Sequence, residues 1–155
     1  MADFVFQTGK GKIAEYAARV EANDPTNAAF IIVVIDANGD TDATMKDRDT
    51  LDALLGGTCN EVTNTNYARK TLANGALTIT TDDTNDRVDI DFADQTWSAV
   101  AAGTAWTDLI VCYDSDTTGG ADSAIIPLTC HDFVVVPDGA DITCVLNASG
   151  FFRAS

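Results

Sequence analysis

The stretch that most constrains the fold runs from Thr78 to Val100, TITTDDTNDRVDIDFADQTWSAV. Thr78, Ile79, Thr80 and Thr81 are β-branched and suit a strand, where branched side chains pack well on a pleated surface. Asp82, Asp83, Thr84, Asn85 and Asp86 form a turn cluster, because Asp and Asn bond their own backbone and tolerate left-handed conformations. Val88, Ile90 and Phe92 then alternate with Asp89 and Asp91. A period of two sets three apolar side chains on one face of a strand and two carboxylates on the other. Trp97 follows on a further short extended piece. The spacing predicts strand, turn, strand, with an apolar face that a second layer must cover.

Upstream, Phe4-Val5-Phe6 is a short strand candidate, broken by Gly9 and Gly11. Ile13, Tyr16, Ala17 and Val20 recur at helical spacing within Lys12–Ala22, which predicts an amphipathic helix ended by Asn23-Asp24-Pro25. Ala28 to Ile35 is a continuous apolar run whose length and β-branching predict a strand buried on both faces. A second short helix, capped by Thr44 or Asp47, carries Leu51, Leu54 and Leu55 and stops at Gly56. Strand-like runs then alternate with turn clusters, at 76–81, 87–92, 96–100, 108–113, 124–130, 132–136 and 141–146. Phe151-Phe152 is expected to pack inward. The pattern reads as one domain over 1–155: mainly β with two short N-terminal helices (α+β), built as an antiparallel β-sandwich or a small barrel.

The net charge of −15 comes from 21 Asp and 3 Glu against nine Lys and Arg. Asp favours turns where Glu favours helices, so the skew supports a loop-rich β protein. Phosphate contacts need a basic surface, so nucleic acid is not an expected partner. Lys10, Lys12, Arg19, Lys46, Arg48, Arg69 and Lys70 are the basic residues of the first 70; they are solvated surface or face an acidic neighbour subunit. No apolar run approaches the roughly 20 residues of a membrane-spanning helix, and Met1-Ala2-Asp3 lacks the basic start of a signal peptide. Cys59, Cys112, Cys130 and Cys144 are too widely spaced for a Cys-x-x-Cys zinc or redox motif. Buried free thiols acting as small hydrophobes are the expectation, with disulfides the alternative.

Several short motifs agree in order and spacing with a known family. Asn60-Glu61-Val62, Tyr67, Thr71-Leu72-Ala73-Asn74, Asp82 through Val88, and Thr96-Trp97-Ser98 resemble the NEV, GY, TLAN, D-[DN]-T-N-D-R and D-x-T-W patterns of small tailed-bacteriophage virion proteins. Ile125–Leu128, Asp141-Ile142-Thr143 and Asn147–Phe151 resemble their C-terminal segments. The resemblance covers about residues 28 to 153 and departs at Tyr67-Ala68-Arg69-Lys70, where many relatives carry a Gly-rich stretch. It implies a structural role and supplies no catalytic residues.

Residues that might carry chemistry fall into small groups. Asp36, Asn38, Asp40 and Asp42, with Asp47 eleven residues after Asp36, have a spacing similar to a calcium loop. Against that, Gly39 sits at the fourth position instead of the sixth, and Asp47 stands where a bidentate Glu is usual. The same turn chemistry suits a plain acidic loop. Asp114, Asp116 and Asp122 around Gly119-Gly120 are a second calcium candidate; Asp82, Asp83 and Asp86 are a third, better read as a hairpin cap. Asp89 and Asp91 share a strand face, but a glycosidase acid needs an apolar cleft to raise its pKa. His131 adjoins Cys130, and neighbours on a strand point to opposite faces, so the two do not make a nucleophilic pair; His131 is expected at a strand boundary. Trp97, Trp106, Tyr113, Phe133 and Phe151 read as core aromatics in preference to a ligand groove.

The expectation is therefore a non-enzymatic structural protein of a tailed-phage virion, without cofactor or metal. A capsid decoration or cement protein on the head exterior leads, and a minor tail or fibre-base protein, with a role in receptor or glycan binding, is the alternative. Expected partners are other virion proteins, major capsid or tail subunits, and copies of the chain itself in a homo-oligomer, with no nucleic acid and no membrane. Assembly would take place in the bacterial host cytoplasm. A calcium-dependent carbohydrate-binding module and an envelope hydrolase are the rival classes.

Overall fold

The apolar run Ala28 to Ile35 supplies β2 (Ala29–Asp36), an interior strand of a five-stranded antiparallel sheet. Residues 3–36, 40–147 and 149–154 are described by the computed structural model. β2 lies between β3 (Lys70–Leu72) and β7 (Trp106–Asp114); β8 (Ile126–Val135) and β1 (Phe4–Val5) follow, giving the order β1-β8-β7-β2-β3. Phe30, Ile32 and Val34 project into one core cluster, and Ala29, Ile31, Val33 and Ile35 into another. A strand with apolar residues on both faces needs cover on both faces, and it has it.

On the first face lie α1 (Ile13–Ala22), β4 (Leu77–Asp82) and β5 (Arg87–Phe92), joined at the edge of β5 by β10 (Phe152–Ala154), and the ribbon of β6 (Gln95–Trp97) with β9 (Ile142–Cys144). Ile13, Ala17 and Val20 of α1 are buried, and Tyr16 stacks on Tyr113 at 4.2 Å between ring centroids. On the second face lie α2 (Asp42–Lys46) and α3 (Leu51–Leu55), which bury Met45, Leu51 and Leu54 against Ile31, Val33 and Ile110.

The strand, turn, strand pattern forms as expected, as the β4–β5 hairpin. Leu77 pairs with Phe92 and Asp82 with Arg87. Ile90 and Phe92 are buried, Val88 is half-buried, and Asp82 closes the turn by accepting from the Thr84 and Asn85 amides. Phe151 packs on Phe30 and Phe92, and Phe152 pairs with Ile90, so the C-terminal aromatics do anchor inward.

Several expectations need correction. The sheets do not close into a barrel. Three short α-helices stand among the described residues where two were expected, because Thr41 and Thr50 each cap their own turn, accepting from the amides of Thr44 and Ala53. Thr44 and Asp47 are therefore not the N-caps. The runs 124–130 and 132–136 are one strand, β8, whose pairing with β7 continues through Leu109↔His131 and Asp108↔Asp132. His131 is consequently interior to a strand and not at its boundary. β7 has a register shift between Trp106 and Asp108, so Trp106 and Leu109 share the first face although they are three residues apart.

Candidate functional site

The best-formed concavity among the described residues lies between the C-terminal half of β8 and the segment that follows β9. Its volume is about 320 Å³, at the lower end of the range for small-molecule sites. Phe92, Leu109, Val111, Phe133 and Phe151 make its apolar wall. Asp3, His131, Cys144 and Asn147 are among its polar members. β-strand alternation decides which residues reach it: His131 and Phe133 face the cavity, while Cys130 turns to the opposite core.

His131 stands in a short polar chain. Its Nε2 lies 2.9 Å from Thr129 Oγ1, and its Nδ1 lies 3.5 Å from a carboxylate oxygen of Asp3. The other Asp3 oxygen accepts the Asp132 amide at 2.9 Å. Carboxylate, imidazole and hydroxyl thus follow one another in the order of a nucleophile relay. Thr129, however, is only 2 % exposed and is not part of the cavity wall. No substrate atom can approach its hydroxyl, so the chain ties β8 to the segment before β1. Burial pulls the His131 pKa below its ordinary value, against an opposing pull from Asp3. Burial thus favours the neutral imidazole.

Cys144 is half-buried in the same cavity, and desolvation followed by the Asp94 carboxylate pushes its thiol up. A thiol in that state is a poor nucleophile. Cys130 donates to Asp108 at 3.8 Å, deep in the second core, and burial raises the Asp108 carboxyl. All four cysteines are free, with Cys59, Cys112 and Cys130 buried as expected.

A second constellation is a network of charged side chains around Arg69. Arg69 forks onto two carboxylates, with Nη2 2.6 Å from Glu61 Oε2 and Nη1 2.6 Å from Asp122 Oδ1. Tyr67 donates to Glu61 at 2.9 Å and accepts the Val34 amide at 3.0 Å. The hydrogen bonds to Asp122 and Glu61 raise the Arg69 pKa, and Arg69 holds the Asp122 carboxyl below its usual range. This knot ties β2, the loop before β3 and the short 3₁₀ turn Asp122–Ala124 together.

The calcium candidates disperse. Asp40 is held by a hydrogen bond from Thr58 and by the Arg48 guanidinium, which keep its carboxyl low. Asp47 accepts from Gln7, Asp36 accepts from Asn60, and Asp42 sits in the first turn of α2. Asn38 lies outside the described residues. Asp122 is engaged by Arg69, Asp116 by Thr118, and Asp114 by the Asp116 amide. Asp82 caps its hairpin, as expected. Among the described residues, no group of three or more His, Cys, Asp or Glu is placed to hold a metal ion. Asp89 is paired with Arg153 at 2.6 Å and with Arg87, and its carboxyl is lowered, the reverse of what a general acid needs.

The chain matches no family model, no curated protein and no solved structure. The site is thus read from its own geometry. Trp97, Trp106 and Tyr113 are buried as core aromatics, the two tryptophans packing edge to face at 5.3 Å, whereas Phe133 and Phe151 are half-buried and line the cavity. Among the described residues the large apolar side chains outside the core are Ile79, at 38 % exposed, and three valines: Val134 is 80 % exposed, Val136 68 % and Val145 72 %. Val145 borders the cavity beside Phe133, and Val134 follows Phe133 on the strand. Sequence periodicity gave no sign of this exposure, since a run such as FVVV reads as buried strand.

Proposed function

We propose that this chain is a non-enzymatic structural protein of a tailed-phage virion, acting as a decoration or cement protein on the head exterior. The observation that carries the reading is the exposed pair Val134 and Val136, at and just beyond the C-terminal end of β8. Large apolar side chains exposed together mark contact surfaces. The motif resemblance over about residues 28 to 153 supplies the virion context. The state of the polar groups supports a structural role: burial pushes the Cys144 thiol up, away from the reactive thiolate, Thr129 is walled off, and Asp89 is paired with Arg153 and Arg87.

The three-stranded sheet lying across the first core from the five-stranded sheet is read here as the second layer of an antiparallel sandwich. A rigid body of this kind with an acidic exterior keeps particles soluble and apart. Its partners are capsid or tail subunits and further copies of the chain, with assembly in the host cytoplasm. Immunogold labelling of intact particles tests the proposal. Label over the whole head is expected. Label confined to the tail would transfer the protein to the tail, and particles without label would overturn the virion reading.

A further inference from the structure

We propose that the outer edge of β8, from Asp132 to Val136, receives an extended basic segment of a partner chain, which adds as a strand to the five-stranded sheet. This deepens the assembly role proposed above and rests on it. β1 pairs with β8 only at Thr129 and Cys130. The Asp132 amide then points outward to the Asp3 carboxylate, which stands where a further strand residue would be. Backbone groups alternate sides along a strand, so those of Val134 point outward as well, and Val136 follows directly on the strand's end at Val135. Among the described residues no strand lies against that edge. Natural sheets blunt exposed edges with lysine, proline or bulges. Asp132-Phe133-Val134-Val135-Val136 has no lysine and proline comes only at 137, while the register shift between Asp132 and Val135 lies on the inner side, against β7.

Charge identifies the occupant. Asp3 and Asp132 flank the edge, Asp138 follows it, and the whole chain carries −15. A second copy would bring like charge to the same place, whereas a segment with Lys or Arg is attracted. The two faces of an added strand would differ. One face meets Val134 and Val136, and the other meets the cavity with its phenylalanine wall and the Asp3 carboxylate beside His131. Alternating apolar and basic side chains suit that pair of faces, since a lysine stem buries its methylenes while its ammonium reaches the carboxylates.

The test uses isotope-labelled full chain titrated with the capped peptide Val-Lys-Val-Lys-Val at low salt, followed by backbone amide shifts. Saturable shifts confined to His131–Val136 and Val145 are expected. Binding should weaken about tenfold or more with glutamate in place of the lysines, and by a similar factor in Val134→Pro, which removes an outward N–H from an exposed position. The spectrum of that variant away from β8 reports whether it folds, and Val134→Lys serves if it does not. No saturable shift, shifts elsewhere, or equal binding by the variants would overturn the proposal. Concentration-dependent shifts without peptide would overturn it in favour of a second copy. Absence of peptide binding by a chain found in particles refutes the docking mode alone; peptide binding by a chain absent from particles refutes the virion reading alone.

Discussion

Replacing Arg69 by alanine should be among the most damaging single polar changes in the protein. The guanidinium makes hydrogen bonds to both oxygens of Glu61 and both of Asp122, at 2.6 to 3.1 Å. Its removal leaves two carboxylates facing each other's vacated partner, and the Tyr67 hydroxyl is left to hold Glu61 alone. Breaking a fully buried pair costs ~3–5 kcal/mol, and a fully exposed one ~0–1 kcal/mol. The three side chains are 29 %, 22 % and 31 % exposed, which places them between the limits and nearer the buried one after solvent screening. The expected loss is about 2–3 kcal/mol, a fall of roughly 5–10 °C in Tm for a chain of this length. Arg69→Lys keeps the charge and loses the fork, so it should lose about half as much. Denaturant unfolding of the three proteins gives the values. The acid side supplies an independent readout. Arg69 lowers the folded-state pKa of Asp122, so this pair's contribution is complete above the ordinary carboxylate range and is lost as pH falls through the folded value. In Arg69→Ala the acid limb should therefore be shallower. A variant within about 0.5 kcal/mol of the parent, with an unchanged acid limb, would refute the reasoning.

Other expectations concern the core and the cavity. Phe92→Ala removes a ring that is 5 % exposed and packed on Phe151 at 5.1 Å, and should cost about 3–5 kcal/mol by denaturant unfolding. The imidazole of His131 should titrate below 6.5 in proton NMR. Since its folded pKa is depressed, its contribution is present above the unfolded value and is lost as pH falls from there to the folded one; His131→Gln should remove that slope. In native protein an aromatic disulfide reagent should modify Cys144 first and leave Cys59, Cys112 and Cys130 untouched until denaturant is added. Thr50→Ala should cost about 1 kcal/mol through loss of the α3 cap, measured by thermal unfolding.

Features set by local periodicity were legible in the sequence. The alternation of Val88, Ile90 and Phe92, the helical spacing of Ile13, Ala17 and Val20, and the unbroken apolar run of β2 each fix their own burial. Features set by distant partners were not. The polar pair His131-Asp132 reads as a break, yet pairing with Leu109 and Asp108 carries β8 straight through it. Lys70–Leu72 is too short and too mixed to announce a strand, and it forms one because β2 offers an edge. Glu61 and Arg69 are eight residues apart, and Asp122 is 53 from Arg69, so no pattern within a window could join them. The acidic loops were read by composition, and composition does not say that Arg48, Arg69 and Arg153 would each claim a carboxylate.

Hydrogen exchange across residues 131–136, compared between the free chain and purified particles that contain it, tests the role of the β8 edge most directly. An interaction edge predicts fast exchange at Val134 and Val136 in the free chain and strong slowing in the particle. Equal rates in the two states, with the chain present in the particle, would contradict it.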